Sequence, residues 1–202
     1  MTIISIIIGK KGSDINETYL LSASYYLFEY FFFQKKSVIE ICNFIARNSF
    51  NEIDNNKLEY FNYKNLYCLS ITKNNLCICA ILDNKEYPIR VLRRLLFKTL
   101  IDYIELFGEN IEYFNQDFDE KYKLPRLFER LHNFQDPLKS DKIYNIQSSL
   151  DDTKQIILKN IDKVLERGNS IDELVKKSQD LSNTSRKFYK TSKKLNRCCT
   201  IL

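Results

Sequence analysis

One apolar stripe constrains this chain more than any other feature. Starting at Ile143 and stepping alternately three and four residues, the positions met are Ile143, Ile146, Leu150, Thr153, Ile157, Asn160, Val164, Arg167, Ile171, Leu174, Ser178, Leu181, Ser185, Phe188, Ser192 and Leu195. Ten of these sixteen are apolar, against seven of the other 37 residues in the same span, so the apolar residues concentrate on one face. A 3.5-residue repeat sustained over seven heptads is the pattern of a coiled-coil seam, and as one helix it would run about 80 Å. Such a helix cannot bury its seam alone. It must meet partner helices or fold back onto the rest of the chain.

Arg167 stands on the seam, midway along it. A guanidinium inside a dry bundle costs several kcal/mol unless acceptors meet its donors, so partners in a bundle must supply polar side chains at that level. A single polar layer of this kind fixes register. At a seam edge the same arginine would instead extend its head to water. Gly168 costs a helix about 1 kcal/mol, and it hints at a segment that is not helical in every state. Ser178, Ser185 and Ser192 are small enough to let bundle helices approach closely.

The residues before this segment have a different period. Ile3 to Ile8 is a β-branched run closed by Gly9, and Tyr19 to Leu27 is a second strand-like stretch. Ser37 to Glu40 has the form of a capping box, opening a helix that continues to about Ser49. Strands are expected over Tyr67 to Thr72 and Leu76 to Leu82, separated by the turn-forming Lys73-Asn74-Asn75. Pro88 and Gly108 bracket a helix, and a shorter helix is expected between Pro125 and Phe134. Leu138 to Asp141 reads as a linker. Together these elements predict a small α+β domain over residues 1–137.

Cys42, Cys68, Cys77 and Cys79 lie in apolar runs, where thiols act as small hydrophobes. Cys77 and Cys79 form a Cys-x-Cys, but no second pair or suitably placed histidine completes a zinc site, so neither metal nor cofactor is expected. No signal peptide opens the chain, which sets a reducing, cytosolic compartment as the expectation. The formal charge of +5 is confined to the tail: residues 141–202 hold 13 Lys/Arg against 8 Asp/Glu, while the first 140 hold 18 of each. Arg186, Lys187, Lys190, Lys193, Lys194 and Arg197 follow one another with no acid between them. That run suits nucleic acid or an anionic membrane, or simply a solvated helix face.

The last residues, NRCCTIL, discriminate between these readings. Cys199-Thr200-Ile201-Leu202 fits the C-a-a-X prenylation signal, with Cys199 as acceptor and Cys198 available for a second lipid. A vicinal disulfide is the alternative for the pair. No apolar stretch in residues 143–202 reaches the roughly 18 residues of a membrane span, so lipid is the expected anchor. One chain anchors only marginally, and a second makes attachment stable. Leu202 at the X position favours geranylgeranyl.

VLERGNSIDELVKKSQDLSNTSRKFYKTSKK, residues 164–194, resembles the arginine-bearing motif of the R-SNAREs, the synaptobrevin-like helices of membrane fusion. The resemblance rests on Arg167 and on Ser178, Leu181, Ser185, Phe188, Ser192 and Leu195 downstream of it. DNKEYPIRV, residues 83–91, resembles the strand-to-helix join of longin domains, which are profilin-like, and FFFQKKSV, residues 31–38, resembles the start of their first helix. With the terminal cysteines, the similarity spans the chain and points to the prenylated longin R-SNAREs of the Ykt-six type.

That resemblance implies a five-stranded antiparallel longin sheet with helices, then a long coiled-coil helix over residues 138–197 and a lipidated tail over 198–202. It implies three Gln-type SNARE helices as partners meeting Arg167, and a prenyltransferase during maturation. Farnesyl is implied on Cys199, with palmitoyl or a second prenyl group on Cys198. It further implies autoinhibition by the longin domain, for which Phe44 is the candidate contact, its plain alternative being a core residue. The expected location is the cytosol and the cytoplasmic face of ER, Golgi, vesicle or endolysosomal membranes, with no nucleic acid and no small-molecule substrate. A lipid-anchored coiled-coil tether or adaptor is the alternative function. A lipidated GTPase is excluded because Gly9-Lys-Lys-Gly12 is not a phosphate-binding loop, and the lone His132 has no catalytic motif around it.

Overall fold

The computed structural model describes residues 2–14, 17–143, 158–165 and 170–191. Its centre is a sheet in the order β2-β1-β5-β4-β3-β6. The strands are β1 (Ile3–Lys11), β2 (Thr18–Tyr25), β3 (Leu58–Tyr63), β4 (Leu66–Lys73), β5 (Leu76–Leu82) and β6 (Leu158–Asn160). The first five pair antiparallel throughout, as the longin resemblance implies, whereas β6 pairs parallel to β3. The sixth strand comes from the segment expected to be a coiled-coil helix. It exists because the outer edge of β3 leaves backbone groups free to pair.

Helix α1 (Phe32–Glu52) covers one face of the sheet, and α2 (Ile89–Phe107) with α3 (Leu127–Asn133) covers the other. A sheet buried on both faces has no need of polar alternation, which explains why β5 is apolar from end to end. Its side chains still alternate by face: Cys77, Cys79 and Ile81 join the α1 core, and Leu76, Ile78, Ala80 and Leu82 the α2 core. Two-residue turns join β3 to β4 and β4 to β5, with left-handed backbone at Lys64 (φ 59°) in the first and at Asn74 (φ 48°) and Asn75 (φ 64°) in the second.

Two local expectations are corrected, and one strand not expected from the residues is added. Helix α1 starts at Phe32, not Ser37, because the Gln34 side chain accepts from the Phe31 N–H (3.3 Å) and Phe31 O from the Gln34 N–H (2.9 Å); Ser37 is buried inside the helix. Leu138 to Asp141 is no linker but part of α4 (Pro137–Ile143): Asp136 Oδ1 accepts from the N–H groups of Leu138 (3.0 Å) and Lys139 (3.3 Å), and Pro137 takes the first helical position. Strand β3, with its polar Glu59 and Asn62, carries too weak an alternation to be read from its residues alone.

Strand β1 does not stop at Gly9 but runs on to Lys11, and the bulge lies opposite it on β2, where Leu21 is the extra residue between the Ile8–Ser22 and Gly9–Leu20 pairs. A Cβ on Gly9 would lie 2.8 Å from the Phe50 ring and 2.8 Å from Tyr19 O, and a paired backbone oxygen cannot retreat. Gly9→Ala is therefore expected to lower stability by about 1–3 kcal/mol. Urea unfolding measures this; an unchanged midpoint would show that the α1–sheet packing is looser than described.

Candidate functional site

The described part of the seam segment is not one helix. Strand β6 runs directly into α5 (Ile161–Val164), and then come α6 (Ile171–Lys177) and α7 (Asn183–Thr191), laid over α1 and the β3 edge. Serines divide the helices. Ser170 Oγ accepts from the Glu173 N–H (3.2 Å) to cap α6, and Ser182 Oγ accepts from the Ser185 N–H (3.3 Å) at the start of α7. Between them Ser178 takes extended backbone (φ −62°, ψ 134°), its Oγ accepting from the Asp180 N–H (3.1 Å). Serine competes well in such positions because its hydroxyl replaces helical backbone bonds.

The docked segment buries much of the seam. Ile171, Leu181 and Ser185 are buried, and Val164, Leu174 and Phe188 are partly buried against the α1 core. It also buries apolar residues that lie off the seam: Ile161 is 1% exposed, Val175 0% and Tyr189 5%. A bundle formed along the seam would leave these three outside it. Tyr189 meets Phe44 edge-on, with centroids 6.1 Å apart. Phe44 is thus both a core residue of α1 and a contact for the segment.

Charged groups tie the edges. Arg47 on α1 donates from Nε to Asp180 Oδ2 (2.9 Å) and from Nη2 to Asp180 Oδ1 (3.1 Å), a fork-on-fork pair. Its remaining donors reach Asp117 Oδ2 (2.7 Å) and the Thr18 carbonyl. Glu40 Oε2 accepts from the Ser182 N–H (2.8 Å) at the start of α7. Burial pushes the Glu40 carboxyl up, but hydrogen bonds from Ser182 and Ser185, with Lys36 nearby, hold it below the usual carboxylate value. Lys64 Nζ contacts Asp172 Oδ1 (3.2 Å) and lies 4.8 Å from the centre of the Tyr189 ring, and Lys159 Nζ reaches Glu59 Oε1 (2.7 Å).

Of the residues expected from sequence, Phe44, Val164, Ile171, Leu174, Leu181 and Phe188 are brought together here. Ile143 closes α4. Arg167, Cys198, Cys199, Ile146, Leu150, Ile157 and Leu195 lie outside the described residues. Cys42, Cys68, Cys77 and Cys79 are buried on the α1 face, and burial pushes the Cys42 and Cys77 thiols up to about 12. His132 is exposed beside Tyr26 and Phe128. Among the described residues no group of His, Cys, Asp and Glu could hold a metal, and no helix is long and apolar enough to cross a membrane. Sequence reasoning missed Arg47, Asp180 and Val175. The signal for Val175 was present in the apolar residues that the heptad leaves unexplained. Glu40 was assigned to the wrong helix start.

A family profile described as Synaptobrevin matches residues 142–201. The chain is 35% identical over 202 residues to the VAMP-like protein YKT61 of Arabidopsis thaliana, spanning all of both chains. It is 32% identical over 198 residues to the synaptobrevin homolog YKT6 of Debaryomyces hansenii, covering 96% of this chain and 94% of that one. It is 31% identical over 195 residues to the synaptobrevin homolog YKT6 of Saccharomyces cerevisiae, with the same coverage.

Two predictions follow from the polar ties. Arg47→Met should remove charge-assisted bonds worth about 2 kcal/mol and raise amide hydrogen exchange across α6 and α7 roughly 30-fold, leaving β1 and β5 unchanged. Uniform exchange in both proteins would mean that Arg47 does not hold the segment. Because the Glu40 carboxyl is depressed when the segment is docked, its contribution is complete above the ordinary value of 4.5 and is lost as pH falls through the lower docked value. Protection of the Ser182 amide should therefore fall below pH 4.5 in the parent chain and lose that dependence in Glu40→Gln.

Proposed function

Because the chain belongs to the longin-bearing, synaptobrevin-like R-SNAREs of the YKT6 type, which act in vesicle fusion, we propose that the docked arrangement is its closed, assembly-incompetent form. The supporting observation is that Ile171, Leu181 and Ser185, which a bundle needs on its inner face, are buried against the sheet domain. The backbone adds a second barrier. A bundle helix needs continuous helical geometry, while the docked segment has a strand at Leu158–Asn160 and extended backbone at Ser170 and Ser178.

In this reading residues 1–137 form a longin domain that holds residues 138–197 until three Gln-type SNARE helices take them over. The released segment becomes one helix, with Arg167 facing glutamines from the partners at the central layer. Zippering from Ile143 toward Leu195 draws the lipidated end to the partners' membrane ends. Residues 198–202 carry the anchor, with a prenyl group on Cys199 and a second lipid on Cys198. The chain acts by assembly, not catalysis, at the cytoplasmic face of ER, Golgi, vesicle or endolysosomal membranes, and the closed form supplies a cytosolic reserve. Phe44 is the autoinhibitory contact, through Tyr189.

Off-seam residues separate docking from fusion. Val175→Asp breaks the buried docking face but lies outside the bundle seam. Losing a buried valine is worth about 1.5–3 kcal/mol, so assembly of the full chain with three Gln-type helices should accelerate at least tenfold. The melting temperature of the finished complex should not change. An unaltered assembly rate would count against autoinhibition, and a destabilised complex against the seam assignment. Cys199→Ser should move most of the chain into the soluble fraction of a cell lysate; membrane recovery equal to that of the parent chain would refute Cys199 as the anchor.

A further inference from the structure

A second surface has no part in the docked segment. The turn from β2 into α1 carries Phe28, Phe31, Phe32 and Phe33, which are 71%, 50%, 92% and 75% exposed with the segment in place. They are held out by an anchored turn. Tyr30 between them is buried in the α1 core, its N–H donates to Leu27 O (3.3 Å), and Gln34 clasps the Phe31 N–H. The Phe31 and Phe33 rings stack on each other at 5.6 Å, and Phe28 continues the patch through Phe128, 6.4 Å away on α3 and itself exposed. Lys35 and Lys36 follow on the next turn of the helix, so the run Phe28–Lys36 carries two cations against the single acid Glu29.

We propose that this turn is a membrane-insertion wedge that places the Phe31–Phe33 rings at the headgroup–acyl boundary of an anionic bilayer. The shape selects the occupant. Rings on a convex, anchored turn offer no groove for a peptide or helix, whereas aromatic rings with lysines behind them are suited to an interface that is apolar inside and negatively charged outside. Solvent exposure of four phenylalanines within six residues is unfavourable for a chain that works only in water. The contact would orient the sheet domain on a membrane independently of the C-terminal cysteines. This goes beyond the fusion reading and holds whether or not residues 158–191 are docked.

The chain contains no tryptophan, so Phe32→Trp in the otherwise unaltered, unlipidated full chain gives a single reporter at the most exposed ring. Adding phosphatidylcholine vesicles with 30% phosphatidylserine, roughly the charge density of a cytoplasmic leaflet, should shift its emission to the blue. Acyl-chain-brominated lipid should quench it, and pure phosphatidylcholine should do so far less. In flotation of the parent chain with the same vesicles, Phe33→Ser should lower partitioning about tenfold, and Lys35→Glu with Lys36→Glu at least as much. Unchanged emission with anionic vesicles would overturn the proposal. So would a blue shift that grows with protein concentration in the absence of lipid, which assigns the patch to a second copy. Emission already blue and independent of both would also overturn it, by showing that the chain covers the rings itself.

Discussion

An apolar residue can be buried in only one place at a time, and the proposed closed form depends on that exclusion. Ile171, Leu181 and Ser185 lie on the heptad seam and also in the contact with the sheet domain. Whichever surface holds them denies them to the other. On the proposed reading, control of assembly requires no separate inhibitory element. It would be a competition between an intramolecular surface, always present at high effective concentration, and partner helices that must be supplied.

The docked form and the proposed bundle use partly different residues, which would let one sequence encode both. Ile161, Val175 and Tyr189 are spent on docking and have no place in the seam. The serines carry opposite duties: Ser178 and Ser185 are small enough for a bundle interior, yet in the docked form Ser178 breaks the helix and Ser185 sits buried at the start of α7. The charged ties work at the rim. The Arg47–Asp180 pair, with side chains 24% and 17% exposed, and the partly exposed Glu40 contact to Ser182 still reach water, so they align the segment while the apolar contacts supply most of the free energy.

How much of this was legible in the sequence depended on range. Strands β1, β4 and β5 and helices α2 and α3 announced themselves through local period and punctuation, as in Pro88 and Gly108 around α2. Asp136-Pro137 was an equally local helix start, overlooked because a domain boundary was expected there. The fold-back differs in kind. It rests on pairings such as Arg47 with Asp180 and β3 with β6, which lie about a hundred or more residues apart and leave no periodic trace. The heptad was strong enough to suggest one long helix, and only the surplus apolar residues hinted at a second use for the same stretch.

The most direct measurement is the separation of spin labels at Lys36 on α1 and Lys187 on α7, both exposed, read by pulsed dipolar resonance. The free 202-residue chain should give one narrow, short-distance population, which disappears stoichiometrically as three Gln-type helices are added. A free chain whose labels are broadly distributed, or a short distance that survives in the assembled complex, would contradict the claim that one apolar surface serves two exclusive states.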